Sequence, residues 1–153
     1  MMEKKYWLMK SEPESYSIDA LKADKKTAWT GVRNFQARNF MRDEMQIGDW
    51  VLFYHSSCKV PGVYGVAKVA SAPYPDPTQF DSTSHYLEPR ATKEKPVWCL
   101  VDIVFVKKLK EPVTLTDIRA NPRLRSMAIL APGSRLSITP VSSEHFQLIT
   151  NAE

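Results

Sequence analysis

Apolar positions along this chain gather in short runs, parted by charged or proline-rich stretches. "YWLMK" (residues 6–10) is aromatic and apolar and ends at a Ser-Glu-Pro breaker, which predicts a strand. Alternation sets Trp7 opposite Tyr6 and Leu8, so one face of that strand suffices for packing. "SIDALKAD" predicts a short helix, with Ser17 as N-cap and Ile18 and Leu21 three apart. "NFQARNFMRDEM" predicts another, capped by Asn34. Ala37, Phe40 and Met41 form its buried stripe, with Arg38 and Arg42 on the flank. After a turn at residues 47–49, strands are expected at 50–56, 62–71 and 97–106. Between the last two lies a proline-rich loop whose aromatics, Tyr74, Phe80 and Tyr86, argue for order and function. The last third predicts a helix capped near Thr116 that turns at Asn121 and Pro122, then a strand at 135–139. A final helix starts at Ser142 or Ser143, with Phe146 and Ile149 facing inward. This order of elements is that of an α+β domain around a mostly antiparallel, barrel-like sheet.

Composition narrows the classes. At 153 residues the chain is expected to form a single domain, 1–153, with its own core. No apolar run approaches the roughly 20 residues that cross a bilayer, and the start lacks the apolar core of a secretion signal. Cys58 and Cys99 read as lone thiols of a reduced protein, cytoplasmic or, in a eukaryotic source, nuclear. A net charge of +4 permits an anionic partner without demanding one. The chain is expected to act as a monomer, with no membrane partner.

Chemical motifs are sparse. "FYHSSCK" clusters His55, Ser56, Ser57 and Cys58, but neighbours on a strand face opposite ways, and no nucleophile elbow is present. His55, His85 and His145 lack metal-ligand spacing, so no metal is expected. No phosphate-cradling glycine loop occurs either, and no cofactor is implied. What remains is a site for a planar ligand, with aromatic faces for stacking and polar edges for reading it. Candidate walls are Trp7, Trp29, Tyr54, Tyr74 and Trp98; candidate edges are Ser11, Arg33, Asn34 and His55. Trp50 and Trp98 lie in strands, where a core role is the commoner one. Arg38 and Arg42 suit either a solvated helix face or phosphate contacts. A rival reading makes the protein an enzyme on a nucleobase or nucleotide, with His55 as general base and Asp81 or Glu12 as acid. A third makes it a module whose exposed aromatics bind a protein.

The segments "YWLMKSEP", "WTGVRNFQARNFMR", "GDWVLFYHSSC", "GVYGVAKV", "YPDPTQFD" and "PVWCLVDIVFV" stand in the order found in EVE domain proteins, which the chain resembles over nearly its whole length. The resemblance implies a PUA-like pseudobarrel of mostly antiparallel strands surrounded by short helices. It further implies a non-catalytic module that holds a modified nucleobase, modified cytosine in DNA first, with RNA as the alternative carrier. Matching positions are Trp7, Lys10, Ser11, Glu12, Trp29, Val32, Arg33, Asn34, Tyr54, His55, Ser56, Tyr74, Pro75, Asp76, Gln79, Phe80 and Asp81. The expected base pocket comprises Trp7, Lys10, Ser11, Trp29, Val32, Arg33, Asn34, Tyr54, His55, Ser56, Tyr74 and Asp81. Arg38 and Arg42 are the expected phosphate contacts.

Overall fold

The structure, a computed structural model, describes residues 4–131 and 136–151. Among the described residues, eight strands and four α-helices follow one another along the chain. The strands are β1 (Tyr6–Ser11), β2 (Lys26–Ala28), β3 (Trp50–His55), β4 (Gly62–Val69), β5 (Tyr74–Pro75), β6 (Cys99–Leu100), β7 (Asp102–Thr114) and β8 (Ile138–Val141). The helices are α1 (Ile18–Asp24), α2 (Phe35–Asn39), α3 (Leu115–Ala120) and α4 (Ser143–Thr150).

Six strands form one curled sheet in the order β2-β7-β4-β3-β1-β8, and β5 pairs with β6 separately. All pairings are antiparallel except β1 with β3, where Tyr6 faces Trp50 and Ser11 faces His55. A parallel pair needs a crossover. Here it carries α1 and α2 over one face of the sheet, with β2 between them at the sheet's far edge.

Period-two alternation divides the core into two layers. Trp7, Met9, Val51 and Phe53 join Ile18, Leu21, Trp29, Val32, Ala37 and Met41 on one side. Leu8, Leu52 and Tyr54 join Ile118, Leu124, Phe146 and Ile149 on the other. Each such side chain, fully buried, contributes about 1.5–3 kcal/mol, so the crossover and the C-terminal helices are both held by apolar contact.

Several boundaries differ from the sequence expectation for identifiable reasons. The chain expected as one strand at 97–106 breaks at Val101, whose carbonyl accepts the Trp29 N–H at 3.0 Å, and then continues to Thr114. Its extension carries Lys107, Lys108, Lys110 and Glu111 outward with only Leu109 buried, which hides the strand pattern. Pro112 is tolerated because β2 pairs only with residues 102–104, leaving that edge open. The helix expected near Thr116 is capped two residues earlier, where Thr114 and Asp117 exchange side-chain and backbone bonds in a capping box. α2 runs into a π-helical turn, Phe40–Glu44, that leaves Phe40 half-buried against Trp7 while Met41 is wholly buried. β8 begins at Ile138, and Arg135 of the expected strand lies outside the described residues.

Candidate functional site

β1 ends in Lys10 and Ser11, and the chain then turns through Glu12, whose carbonyl accepts the N–H groups of Ser15 and Tyr16. Beside this turn runs the segment 27–33 that leaves β2. Between the two opens a hollow of about 590 Å³, lined by Lys10, Ser11, Glu12, Ser15, Tyr16, residues 27–33, His85, Tyr86 and Ser137. Trp29 and Val32 form its apolar base, 8% and 6% exposed, with Trp29 set edge-on against Phe53 at 5.6 Å. The Ser11 hydroxyl donates to the Tyr16 carbonyl at 2.5 Å, tying the turn to the strand end.

One buried carboxylate shapes the opposite side. Asp76 is inaccessible to solvent; its Oδ2 accepts the Gly31 N–H at 2.8 Å and Arg33 Nη1–H at 3.3 Å. Its Oδ1 accepts the backbone N–H and hydroxyl of Thr78, at 2.8 and 2.6 Å. Arg33 in turn donates from Nη1 to the Val32 carbonyl, from Nη2 to Thr78 Oγ1, and from both Nε and Nη2 to the Tyr86 carbonyl. These bonds engage all five guanidinium donors within the protein. The same guanidinium lies 5.2 Å from the Tyr86 ring and 5.4 Å from that of Trp98. Gly31 adopts φ +83°, which favours glycine, and a Cβ there would stand 2.9 Å from the Tyr86 ring and displace it. Arg33 and Gly31 thus fix Tyr86 at the edge of the hollow.

The long loop is anchored by a second polar side chain. Gln79, wholly buried, donates from its amide nitrogen to the Asp76 and Trp98 carbonyls and accepts the N–H groups of Val97 and Trp98. All of its stronger bonding capacity is used on the two stems of the loop.

Of the residues expected in a base pocket, Lys10, Ser11, Trp29, Val32 and Arg33 line this hollow. The others do not, for local reasons. Trp7 is buried in the core and donates its indole N–H to Asp49 at 3.0 Å. Asn34 caps α2, its side chain accepting the Ala37 N–H. Tyr54 points into the other core layer, as alternation with Phe53 dictates. His55 is buried, stacked on Tyr64 at 4.0 Å, and its Nε2 accepts the Ile18 N–H that opens α1. That bond fixes the proton on Nδ1, and burial holds the imidazole pKa below its ordinary value. Ser56 donates its N–H to the Ser11 carbonyl, extending the strand pairing. The Tyr74 hydroxyl donates to Asp102 at 2.5 Å, and burial with that bond pushes its pKa up to about 12. Asp81 closes a turn on Thr83, whose hydroxyl and N–H hold the carboxyl below its usual range.

The two arginines expected at phosphate are also engaged. Arg38 lies over Phe35 and near Trp98, donating to the Val97 carbonyl and to Asn39. Arg42 forms a two-pronged pair with its neighbour Asp43 at the surface. Trp98, buried and stacked on Phe35, is the shared platform for Arg33 and Arg38. Sequence reasoning missed Gly31, Tyr16 and His85, and it named Tyr86 only as an aromatic of the long loop, without placing it in the site. A glycine directly after Trp29 and Thr30 is the one local signal that pointed to the first.

Among the described residues no group of histidine, cysteine and acidic side chains is placed to hold a metal ion. No helix among them is long and apolar enough to cross a membrane.

Comparison with known proteins places this geometry. Human thymocyte nuclear protein 1 is 39% identical over 97% of this chain and 73% of its own length. A hypothetical protein from Leishmania major superposes with a TM-score of 0.93 at 46% identity, covering 97% of this chain and 94% of that one. A crystal structure of human THYN1 protein in complex with DNA containing 5-methylcytosine superposes with a TM-score of 0.90 at 37% identity, covering 97% and 96%. The family model for the EVE domain matches residues 5–152, and the chain therefore belongs to the EVE domain family.

Proposed function

We propose that the hollow beside Trp29 receives one base of a nucleic acid, a modified cytosine in DNA, and that the chain binds it without chemical change. The observation that carries this reading is the hollow itself. It opens at a strand end, has a tryptophan and a valine at its base and a tyrosine at its edge, and falls within the 300–1,000 Å³ range of small-ligand sites. The human relative crystallised with 5-methylcytosine DNA supplies the ligand class.

A base that leaves its stack costs a few kcal/mol, and aromatic stacking returns about 1–3 kcal/mol. These nearly cancel, so phosphate contacts supply the net affinity and binding weakens with salt. One buried methyl is worth about 0.8 kcal/mol, roughly fourfold in affinity. Selectivity for 5-methylcytosine over cytosine is therefore modest. A polar modification is read more sharply if a hydrogen-bonding group faces it. The rival catalytic reading loses the general base it named: the His55 imidazole already accepts a backbone N–H and lies outside the hollow. The chain acts as one unit and as a monomer, wherever the DNA lies: the cytoplasm of a bacterium or the nucleus of a eukaryote.

The test is a fluorescence-anisotropy titration of single strands carrying cytosine, 5-methylcytosine or 5-hydroxymethylcytosine, in DNA and RNA. Tyr86→Ala, which touches no core layer, and Trp29→Phe, which keeps an aromatic base, serve as variants. The expected result is binding that weakens in both variants and favours the modified DNA. Equal affinity across all bases, or no effect of either substitution, would refute the reading.

A further inference from the structure

We propose that Lys10 is the phosphate anchor of this site, its ammonium taking the phosphate next to the nucleotide whose base enters the hollow. The inference rests on the base-binding reading above and adds to it the group that holds the backbone. Two permanent cations line the hollow, Lys10 and Arg33. Arg33 has every donor engaged inside the protein. Arg38 and Arg42 lie outside the lining and are paired with Asn39, Val97 and Asp43. Lys10 is half-buried, and its ammonium makes no hydrogen bond or ion pair among the described residues.

Position separates a phosphate contact from a base contact. Trp7 and Met9 belong to the core layer that contains Trp29. Alternation along β1 therefore sets Lys10 on the strand face opposite Trp7 and Met9, away from the apolar base, although Lys10 still joins the lining of the hollow. An ammonium there meets the backbone of an entering strand, not the ring of its base. Burial lowers the lysine pKa with no carboxylate to offset it, so an arriving anion relieves a cost that the free protein carries. Glu12 is the one acidic side chain in the lining, and it is exposed. It opposes the same anion from the neighbouring turn.

The experiment measures affinity for a 5-methylcytosine single strand across a range of salt concentrations, and displacement of that strand by the free nucleoside, which has no phosphate. Lys10→Met, with a melting temperature matching the wild type, is expected to weaken strand binding about tenfold at low salt. Its log affinity against log salt should be shallower by about 0.7, the share of one contact on a single strand. Nucleoside affinity should stay within about twofold, Lys10→Arg should keep most of the strand affinity, and Glu12→Gln should tighten strand binding. An unchanged salt slope, or a nucleoside loss as large as the strand loss, overturns the assignment alone. If the wild type binds no nucleoside and Tyr86→Ala leaves strand binding intact, the base-binding reading falls and takes Lys10 with it.

Discussion

Asp49 and Asp76 are both buried carboxylates, 1% and 0% exposed, yet they serve different ends of the molecule. Asp49 immediately precedes β3, beside the start of β1, and accepts three N–H groups, from Lys5, Trp7 and Gln46, at 3.0–3.1 Å. What it orders is core: the Trp7 ring and the turn into β3. Asp76 is bonded by N–H and hydroxyl groups as well, but also by a guanidinium, and what it orders is a surface: Gly31, Arg33 and through them Tyr86. The same chemical solution, a carboxylate saturated by donors, serves rigidity in one place and the shape of the hollow in the other.

That contrast can be tested directly. Asp49→Ala leaves the buried Trp7 indole N–H and two part-buried backbone N–H groups without this acceptor and is expected to cost about 3–5 kcal/mol in urea unfolding. Base binding, measured where the variant remains folded, should stay near the wild-type value. Asp76→Ala leaves Arg33 partly exposed to solvent, so its cost is smaller, about 2–3 kcal/mol. It should, however, weaken base binding beyond what the unfolded fraction explains. If both variants lose binding in proportion to stability alone, the distinction between the two carboxylates fails. His55 offers a further check that touches neither. Its pKa is depressed on folding, so the unfolded chain binds the proton more readily. Its contribution to stability is complete above the unfolded value of about 6.5 and is lost as pH falls through the lower folded value. The unfolding free energy from urea titrations should fall by up to about 1.4 kcal/mol per unit between pH 7.5 and 5, and His55→Gln should flatten that dependence. Gly31→Ala carries the smallest expected stability cost, about 1 kcal/mol for a residue at positive φ. Because the new methyl meets the Tyr86 ring, base affinity should fall while the urea midpoint moves little.

Much of the fold was legible because alternation and capping act locally. Ser17, Asn34 and Ser142 cap helices at the positions their sequence neighbourhoods indicate, and Phe146 and Ile149 are buried as their spacing implies. β2 was not legible: three residues, none of them fully buried, owe their strand form to pairing with β7. The site was legible in part. Trp29, Val32 and Arg33 share one stretch of chain, so whatever places one places the others. Asn34 lies in the same stretch, but its side chain is committed to the helix that follows. Tyr54 and His55 are strand neighbours, and alternation alone forbids them from sharing a face. Tyr86 reaches the hollow by a path that no local pattern encodes, set by Arg33 and Asp76 across more than forty residues of sequence.

Gln79 gives the long loop a neck. Its one amide joins the stretch before residue 80 to the stretch after 96, and the Glu88 N–H returns to its carbonyl. Beyond that closure, added or deleted residues are charged only a slowly growing loop entropy, about 0.6 kcal/mol for each doubling of length. A change of length around residues 92–96 therefore falls outside the closure, and the Gln79 bonds that hold the backbone of Val97 and Trp98 do not depend on it.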